Sequence, residues 1–181
     1  MEAYIPVSYL NDFCYSPESL YFSGVYRDYA ADLVHSTAQT RGKFNHGSID
    51  TSRYATSKHW LQGRMFFCEK YNLCGRIDLF NTRTGELLER KTKVETIYPG
   101  HRYQLYAQLW GLKEQGYLVK SLALYSFSTN QKFPVPLPTS TDWAEFGDLI
   151  KRITEFDPLT LLDQTHSSSN LTRSIYRELG F

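Results

Sequence analysis

Cysteine is scarce in this sequence, and so are long apolar runs. The 181 residues include three cysteines, Cys14, Cys68 and Cys74, an odd number with no CxxC spacing. That pattern indicates neither a disulfide framework nor the usual zinc and iron–sulfur motifs. We therefore expect three buried free thiols.

We expect neither a targeting segment nor a membrane segment. The opening MEAYIPVSYLNDF has no basic start followed by an apolar run. No stretch reaches the roughly 18 apolar residues that a spanning helix needs. We expect a cytoplasmic protein with no membrane partner. Internal repeats are also missing, and the length suits a single domain over residues 1–181.

A strong net charge is missing too, because 20 Lys and Arg are balanced by 19 Asp and Glu, which leaves +1. The distribution is uneven, however, since residues 41–64 contain five Lys or Arg and one acidic residue. Aromatic rings lie among these charges, a mixture typical of grooves for single-stranded nucleic acid. A solvated loop with incidental charge explains the stretch equally well. The candidate DNA contacts are Arg41, Lys43, Arg53, Tyr54, Lys58 and Trp60.

Helical spacing dominates the first third of the chain. Residues 7–33 show loose helical periodicity after the candidate N-cap Ser8, and Pro17 is predicted to start a second helix. Weaker periodicity continues over residues 38–60. An N-terminal helical segment is therefore predicted over about 7–60.

The middle of the chain changes to two-residue alternation at Arg64. RMFFCEKY, CGRIDLF and ELLERKTKV predict a three-stranded meander whose second turn contains Gly85. Pro99 then opens a helix that Gly116 closes. SLALYSFS and KFPVPLP predict two more strands, the second at a sheet edge because of its prolines. This sheet and its helix occupy about 63–137.

A last helix is predicted over residues 142–156, within a C-terminal part of about 140–181. The chain order is then helices, three strands, a helix, two strands and a helix. That order predicts an α/β fold with a mixed sheet.

Charged residues stand out on the predicted hairpin GRIDLFNTRTGELLERKTK. Glu89 and Lys91 are two apart on one strand and so point the same way, while Asp78 lies on the other strand. Two carboxylates close together repel each other unless a cation lies between them, and such oxygen ligands suit Mg²⁺ or Mn²⁺. The Lys91 ammonium would then stabilise the charge that develops on a phosphate oxygen during hydrolysis.

The plain alternative is a solvent-exposed hairpin with a Glu–Lys pair on its wet face, which contributes only a few tenths of a kcal/mol. The surroundings favour a site. Ile77, Leu79 and Leu88 make both strands strongly apolar, which places the charged residues near the core end of the sheet.

Four segments resemble, in the same order, the motifs of RecB-like nucleases of the PD-(D/E)XK superfamily. RGKFNHGSID resembles the histidine-bearing first motif, and GRIDLF, ERKTK and YQLYAQLWGL resemble the later ones. Closer still, YIPVSYLNDFCYSPESLYF, IYPGHRYQLYAQ and STNQKFPVPLP resemble the CRISPR-associated exonucleases of the adaptation module, the fourth Cas protein family, and within it the forms that accompany type V systems. The similarity extends over nearly the whole chain. It implies a restriction-endonuclease-like fold, with a mixed central sheet flanked by helices.

The resemblance also implies roles for residues of the hairpin. His46, Asp78, Glu89 and the backbone carbonyl of Arg90 would bind a divalent metal, Mn²⁺ or Mg²⁺. Lys91 would be catalytic. A lone histidine is more often structural than a ligand, and it is the motif order that assigns His46 to the metal.

Two glutamines on the predicted helix extend the resemblance. Gln104 matches the motif glutamine that steadies the site or contacts DNA, and it is counted with the catalytic residues. Gln108 stands where many RecB-like nucleases carry a tyrosine. The CRISPR-associated branch resembles this variant, so the difference does not argue against activity.

One feature of that family is missing here, namely the four cysteines of an iron–sulfur cluster. The matching positions carry Ser16, Leu171, Ser174 and Gly180, none of which supplies a thiolate. We therefore expect no iron–sulfur cluster, and we expect packing alone to hold the C-terminal tail. The candidates for that packing are Ile175, Tyr176 and Leu179.

Three functions fit these observations. The first is a metal-dependent nuclease that acts on single-stranded DNA or overhangs, trims prespacers and selects flanking motifs during CRISPR spacer acquisition, with the Cas integrase and its companion small Cas subunit as partners. The second is a DNA-end-binding adaptor with little turnover in the integration complex. The third is a RecB-like repair or phage recombination exonuclease outside CRISPR. The carboxylate pair favours an enzyme, because it would repel itself in a pure scaffold.

Overall fold

A mixed β-sheet with helices packed against it organises the chain. The protein is described by a computed structural model, which covers residues 4–20 and 59–157. Within these residues the predicted α/β fold with a mixed sheet is confirmed. The elements are β1 (Ile5–Pro6), α1 (Ser8–Tyr15), β2 (Trp60–Cys68), β3 (Leu73–Asn81), β4 (Glu86–Lys91), α2 (Pro99–Glu114), β5 (Ser121–Ser126), β6 (Gln131–Val135) and α3 (Ser140–Thr154).

The sheet contains the predicted antiparallel meander, followed by a crossover through α2 to a parallel strand. Strands β2, β3 and β4 pair antiparallel in sequence order. The connection through α2 places β5 parallel to β4, and β6 pairs antiparallel with β5 at the edge of the sheet. β6, which contains Pro134, is the last strand in the sheet order, and this confirms the edge position predicted from the prolines.

One edge of β3 is shared by two strands that do not meet. β1 pairs in parallel with Leu73 and Cys74 at the start of β3, and β4 pairs with residues 79–81 at its end. Between them, residues 75–78 of this edge have no strand partner within the described part of the chain. The gap matters because Asp78 lies at its end.

Several element boundaries differ from the sequence prediction. Ser8 is the first residue of α1 rather than its N-cap, which is Val7. β2 begins at Trp60 rather than near 63, because Leu61 pairs with Phe80 and continues the ladder. The sequence also missed β1, whose two residues are too short to show any periodicity.

The helix ends follow ordinary capping chemistry. Pro99 occupies the first turn of α2, as predicted, and Gly116 follows the helix with a φ of 84°. α3 begins two residues earlier than predicted because Thr139 and Asp142 form a reciprocal capping box. Neither α1, α2 nor α3 is both long and apolar enough to cross a membrane.

The helices share one core with the sheet. Phe66, Leu105, Leu112 and Phe146 are fully buried in it. α2 crosses β2 at Gly111, where an added Cβ would lie 2.4 Å from a ring carbon of Phe66. This close approach sets the distance of α2 from the sheet. It therefore also sets how near the side chains on that face of α2 come to the strands.

The three cysteines are not alike. Cys68 is buried, and burial raises the pKa of its thiol to about 12, as expected for an inert core residue. Cys74 is half-buried. The prediction was wrong for Cys14, which is exposed because α1 directs Leu10 and Phe13 into the core instead.

Two helical glycines give a matched test of the α2 contact. Gly111→Ala should lower the free energy of unfolding by about 1–3 kcal/mol, because the methyl group must displace a fully buried ring. In α3, a methyl group added at Gly147 would have no neighbouring atom within 4 Å. Gly147→Ala should therefore raise the free energy of unfolding by about 0.5–1 kcal/mol, because alanine favours the helix more than glycine does. Urea unfolding of both variants measures the difference. Equal effects at the two positions would show that α2 is not held by this contact.

Candidate active site

The β3–β4 ladder ends beside the candidate catalytic residues. Its last backbone pair is Leu79 with Leu88, and continuing the register places Asp78 opposite Glu89. At that point the Oδ2 atom of Asp78 accepts a hydrogen bond from the backbone N–H of Arg90 at 2.8 Å. The carboxylate thus replaces a backbone carbonyl and ties β4 to β3 where backbone pairing stops.

Glu89 is a buried carboxylate with a donor on each oxygen. Its Oε1 lies 3.0 Å from Nζ of Lys91, and its Oε2 accepts a hydrogen bond of 2.7 Å from Nε2 of Gln108. Burial raises the pKa of Glu89; the Lys91 charge opposes this effect, and the negative charge of Asp78 adds to it. The two carboxylates are therefore close enough for their charges to interact.

Lys91 is fixed from two directions. Its ammonium donates to Oε1 of Gln104 at 2.6 Å and pairs with Glu89 on its own strand. Because Gln104 belongs to α2, this bond joins the helix to the end of β4. The Lys91 side chain stays partly exposed, at 22%.

Gln108 reaches from α2 into the gap beside β3. It is 1% exposed, and besides bonding Glu89 its amide nitrogen lies 3.5 Å from the backbone carbonyl of Arg76, a residue of β3 between those that pair with β1 and with β4. The sequence predicts that Gln104 and Gln108, four residues apart, share one helical face, and it identifies Gln108 as a variant of a motif tyrosine. It does not predict the contacts of Gln108 with Glu89 and Arg76.

His101 also belongs to this face of α2, and sequence reasoning missed it as well. It precedes Gln104 by three residues and Gln108 by seven, which is one to two helical turns. Burial lowers the pKa of His101, and the nearby positive charge of Lys91 lowers it further. Both effects favour the uncharged form of the imidazole.

The donor set suits a hard divalent cation in part. Asp78 and Glu89 supply carboxylate oxygens on adjoining strands, and a cation would relieve the repulsion that raises the pKa of Glu89. Among the residues that the structure describes, no group of three or more His, Cys, Asp or Glu side chains is placed to hold a metal ion. His46, the third predicted side-chain ligand, lies outside those residues.

Most of the predicted DNA contacts fall outside the described residues as well, namely Arg41, Lys43, Arg53, Tyr54 and Lys58. Trp60 is described and begins β2, where it is half-buried and pairs with Asn81. Ser16, which the resemblance in sequence places at the position of a cluster cysteine, follows α1 and donates its hydroxyl to Glu18. The predicted tail positions are also outside the described residues: Leu171, Ser174, Ile175, Tyr176, Leu179 and Gly180.

Comparison with known proteins adds little. No family model matches the chain, and no curated protein matches it. Among solved structures the chain is similar to one described as "Crystal structure of SSO0001", at 15% sequence identity and a TM-score of 0.49, over 85% of this chain and 76% of that one. Similarity at this level assigns no function.

The bond between Gln108 and Glu89 should make stability depend on pH. Gln108→Leu removes a donor whose bond lowers the pKa of Glu89, so that pKa rises further above its usual 4.5. Above the raised pKa the variant buries a charged carboxylate with one donor fewer, at a cost of about 1–3 kcal/mol. Below it the folded state binds a proton, and the loss shrinks.

Urea unfolding in EDTA at pH 4 and pH 7.5 measures this effect. The deficit of Gln108→Leu relative to the wild type should be larger at pH 7.5. Gln115→Leu, at the exposed C-cap of the same helix, is the control and should show no such trend. A deficit independent of pH would mean that the bond to Glu89 does not stabilise the carboxylate.

Proposed function

We propose that this protein is a divalent-metal-dependent deoxyribonuclease with a RecB-like, PD-(D/E)XK-type site. The observation that carries the proposal is the convergence of Asp78, Glu89 and Lys91 at the end of the β3–β4 ladder. Glu89 is buried beside a second, partly buried carboxylate, an arrangement that is costly unless positive charge balances it, and a bound cation would add to the charge of Lys91. The adjoining lysine remains partly exposed, as a phosphate-binding group must be.

The chain's own residues would divide the work as follows. Asp78, Glu89, the Arg90 carbonyl and His46 would hold Mn²⁺ or Mg²⁺, which when bound activates water and polarises the phosphodiester. Lys91 would direct its ammonium at the phosphate oxygen that gains charge in the transition state.

The two glutamines would hold this arrangement in place. Gln104 fixes the Lys91 ammonium through its 2.6 Å bond, and Gln108 fixes the Glu89 carboxylate through its 2.7 Å bond. Such pre-positioning lowers the reorganisation needed when charge develops on the substrate.

The substrate proposed is single-stranded DNA or the overhangs of a duplex. Support comes from the basic and aromatic stretch 41–64 and from the resemblance of the sequence to CRISPR-associated exonucleases of the adaptation module. In that setting the protein would trim prespacers and select flanking motifs with the Cas integrase and its small companion subunit. Co-elution with the integrase would favour this role over repair or recombination outside CRISPR.

Cleavage of an end-labelled single-stranded oligonucleotide tests the chemistry. Cutting should occur in Mn²⁺, stop in EDTA, and fall by about 100-fold or more in Asp78→Ala and in Lys91→Ala. Asp148→Ala and Lys151→Ala remove the same charges from exposed positions on α3 and should retain full activity.

Two other outcomes have clear meanings. Equal activity in all four variants would identify the cutting as contamination and overturn the proposal. Tight, salt-dependent binding of DNA without cutting in Mn²⁺ would favour the DNA-end-binding adaptor. The internal pairing of both Glu89 oxygens, with Lys91 and Gln108, is the structural feature compatible with that alternative.

A further inference from the structure

An exposed aromatic ring lies where β4 and β5 end, next to the candidate active site. Phe127 directly follows β5, and its side chain is 58% exposed. Its backbone N–H donates a hydrogen bond of 3.0 Å to the carbonyl oxygen of Lys91. Because β4 and β5 are parallel, they end at the same edge of the sheet. Phe127 is thus held at the edge where Lys91 lies.

The strand register determines which side chains surround this ring. Arg90 pairs with Tyr125 in the parallel ladder of β4 and β5. Because side chains alternate between the two faces of a sheet, Arg90 and Tyr125 share the face opposite to that of Lys91. The guanidinium carbon of Arg90 lies 5.7 Å from the centroid of the Phe127 ring, and the Tyr125 ring packs edge to face against that ring at 5.5 Å. The Phe127 ring therefore contacts the face of the sheet away from α2, the helix that holds Lys91 from the other side.

The positive charge of Arg90 is not balanced by a neighbouring acid. Among residues 4–20 and 59–157, no Asp or Glu side chain forms a salt bridge with its guanidinium. On β6, by contrast, Lys132 pairs with Glu86 at 2.7 Å. A guanidinium next to an aromatic ring is attracted to the face of the ring and still has N–H groups that can bind an anion. Arg90 and Phe127 thus present a cation and an aromatic surface side by side.

Single-stranded nucleic acid has the two groups that the surface of Arg90 and Phe127 can bind. Its bases stack on aromatic rings, and its phosphates pair with cations. Inside a duplex both faces of each base are covered by the neighbouring base pairs, so only an unpaired strand can place a base on the exposed ring. Stacking tolerates any sequence, because every base has a π face. The surface therefore favours an unpaired strand over a duplex.

We propose that Phe127 stacks on a base of the DNA substrate while the Arg90 guanidinium binds the adjoining phosphate. The inference rests on the proposed nuclease function and deepens it, because it adds a subsite that selects single-stranded DNA. This subsite and the Lys91 side chain lie on opposite faces of β4 but at the same edge of the sheet. A strand that passes the ends of β4 and β5 would thus contact both.

Binding to single-stranded and blunt duplex DNA of one sequence, measured in EDTA, tests the stacking contact. Phe127→Ala should raise the Kd for the single strand about 10-fold or more, the usual effect of removing one base–aromatic stack, and should leave the Kd for the duplex unchanged. Phe127→Tyr keeps the ring and should stay within about threefold of the wild type. Leu118→Ala removes an exposed apolar side chain before the start of β5 and is the control, which should not change either Kd.

Salt dependence tests the phosphate contact separately. For single strands each neutralised phosphate contributes about 0.7 to the slope of log affinity against log salt concentration. Arg90→Gln should therefore reduce that slope by about 0.7, and it retains the backbone carbonyl that the proposed metal site uses. Phe127→Ala should leave the slope unchanged, because stacking releases no counterion. An unchanged slope in Arg90→Gln would overturn the phosphate contact.

Four results would overturn the stacking contact. The first is an unchanged Kd for the single strand in Phe127→Ala, and the second is equal weakening of single strand and duplex. The third is a loss of binding in Phe127→Tyr as large as in Phe127→Ala, together with a lower melting temperature in both, which would assign the ring a structural role. The fourth is self-association of the wild type that Phe127→Ala abolishes without any change in Kd, which would assign the ring to a contact between copies of the chain.

The remaining outcomes distinguish this inference from the proposed function. A wild type that cuts DNA while Phe127→Ala keeps its Kd and KM for the single strand would overturn the inference alone. A wild type that binds single strands without cutting in Mn²⁺, with Kd still dependent on Phe127, would support the subsite and reject the nuclease. A wild type that neither binds nor cuts would overturn both.

Discussion

The candidate site depends on how a buried negative charge is balanced. Glu89 lies in the core side of the sheet, where burial disfavours its charged form, and Asp78 disfavours it further. Lys91 offsets this cost at Oε1 of Glu89, and Gln108 offsets it at Oε2. The arrangement joins three elements, because the Glu89 carboxylate is on β4, the Asp78 carboxylate is on β3 and the Gln108 amide comes from α2.

The early end of the β3–β4 ladder makes room for this chemistry. A sheet that continued to pair would use every backbone group and leave no space for an amide from a helix. Here the Asp78 carboxylate accepts a hydrogen bond from the Arg90 N–H, and Nε2 of Gln108 lies 3.5 Å from the carbonyl oxygen of Arg76. Side chains therefore satisfy backbone groups that strands satisfy elsewhere, and the same side chains form the candidate site.

The packing of α2 on the sheet is the mechanical support of the site. Gly111 lets the helix approach Phe66 closely, and Gly100 does the same at the other end, where an added Cβ would lie 2.7 Å from the Asn11 side chain of α1. With α2 held at both ends, Gln104 and Gln108 reach the charged residues of β4 with short bonds. A helix displaced outward by even one methyl group would lengthen both.

Much of this arrangement was accessible from local patterns. Two-residue alternation from Arg64 onward predicted the meander, and Pro99 and Gly116 marked the limits of α2. The predicted set of Asp78, Glu89, Lys91 and Gln104 is brought together in the structure. Alternation succeeds here because strands and helices impose fixed periods on side-chain direction.

The sequence by itself determined which residues share a strand or a helical face, because those relations depend only on backbone period. Only the tertiary structure decided that the ladder stops at Leu79 and that Gln108 fills the resulting gap. These are distances between elements far apart in the chain. They are set by close packing at positions such as Gly111, and no local pattern encodes them.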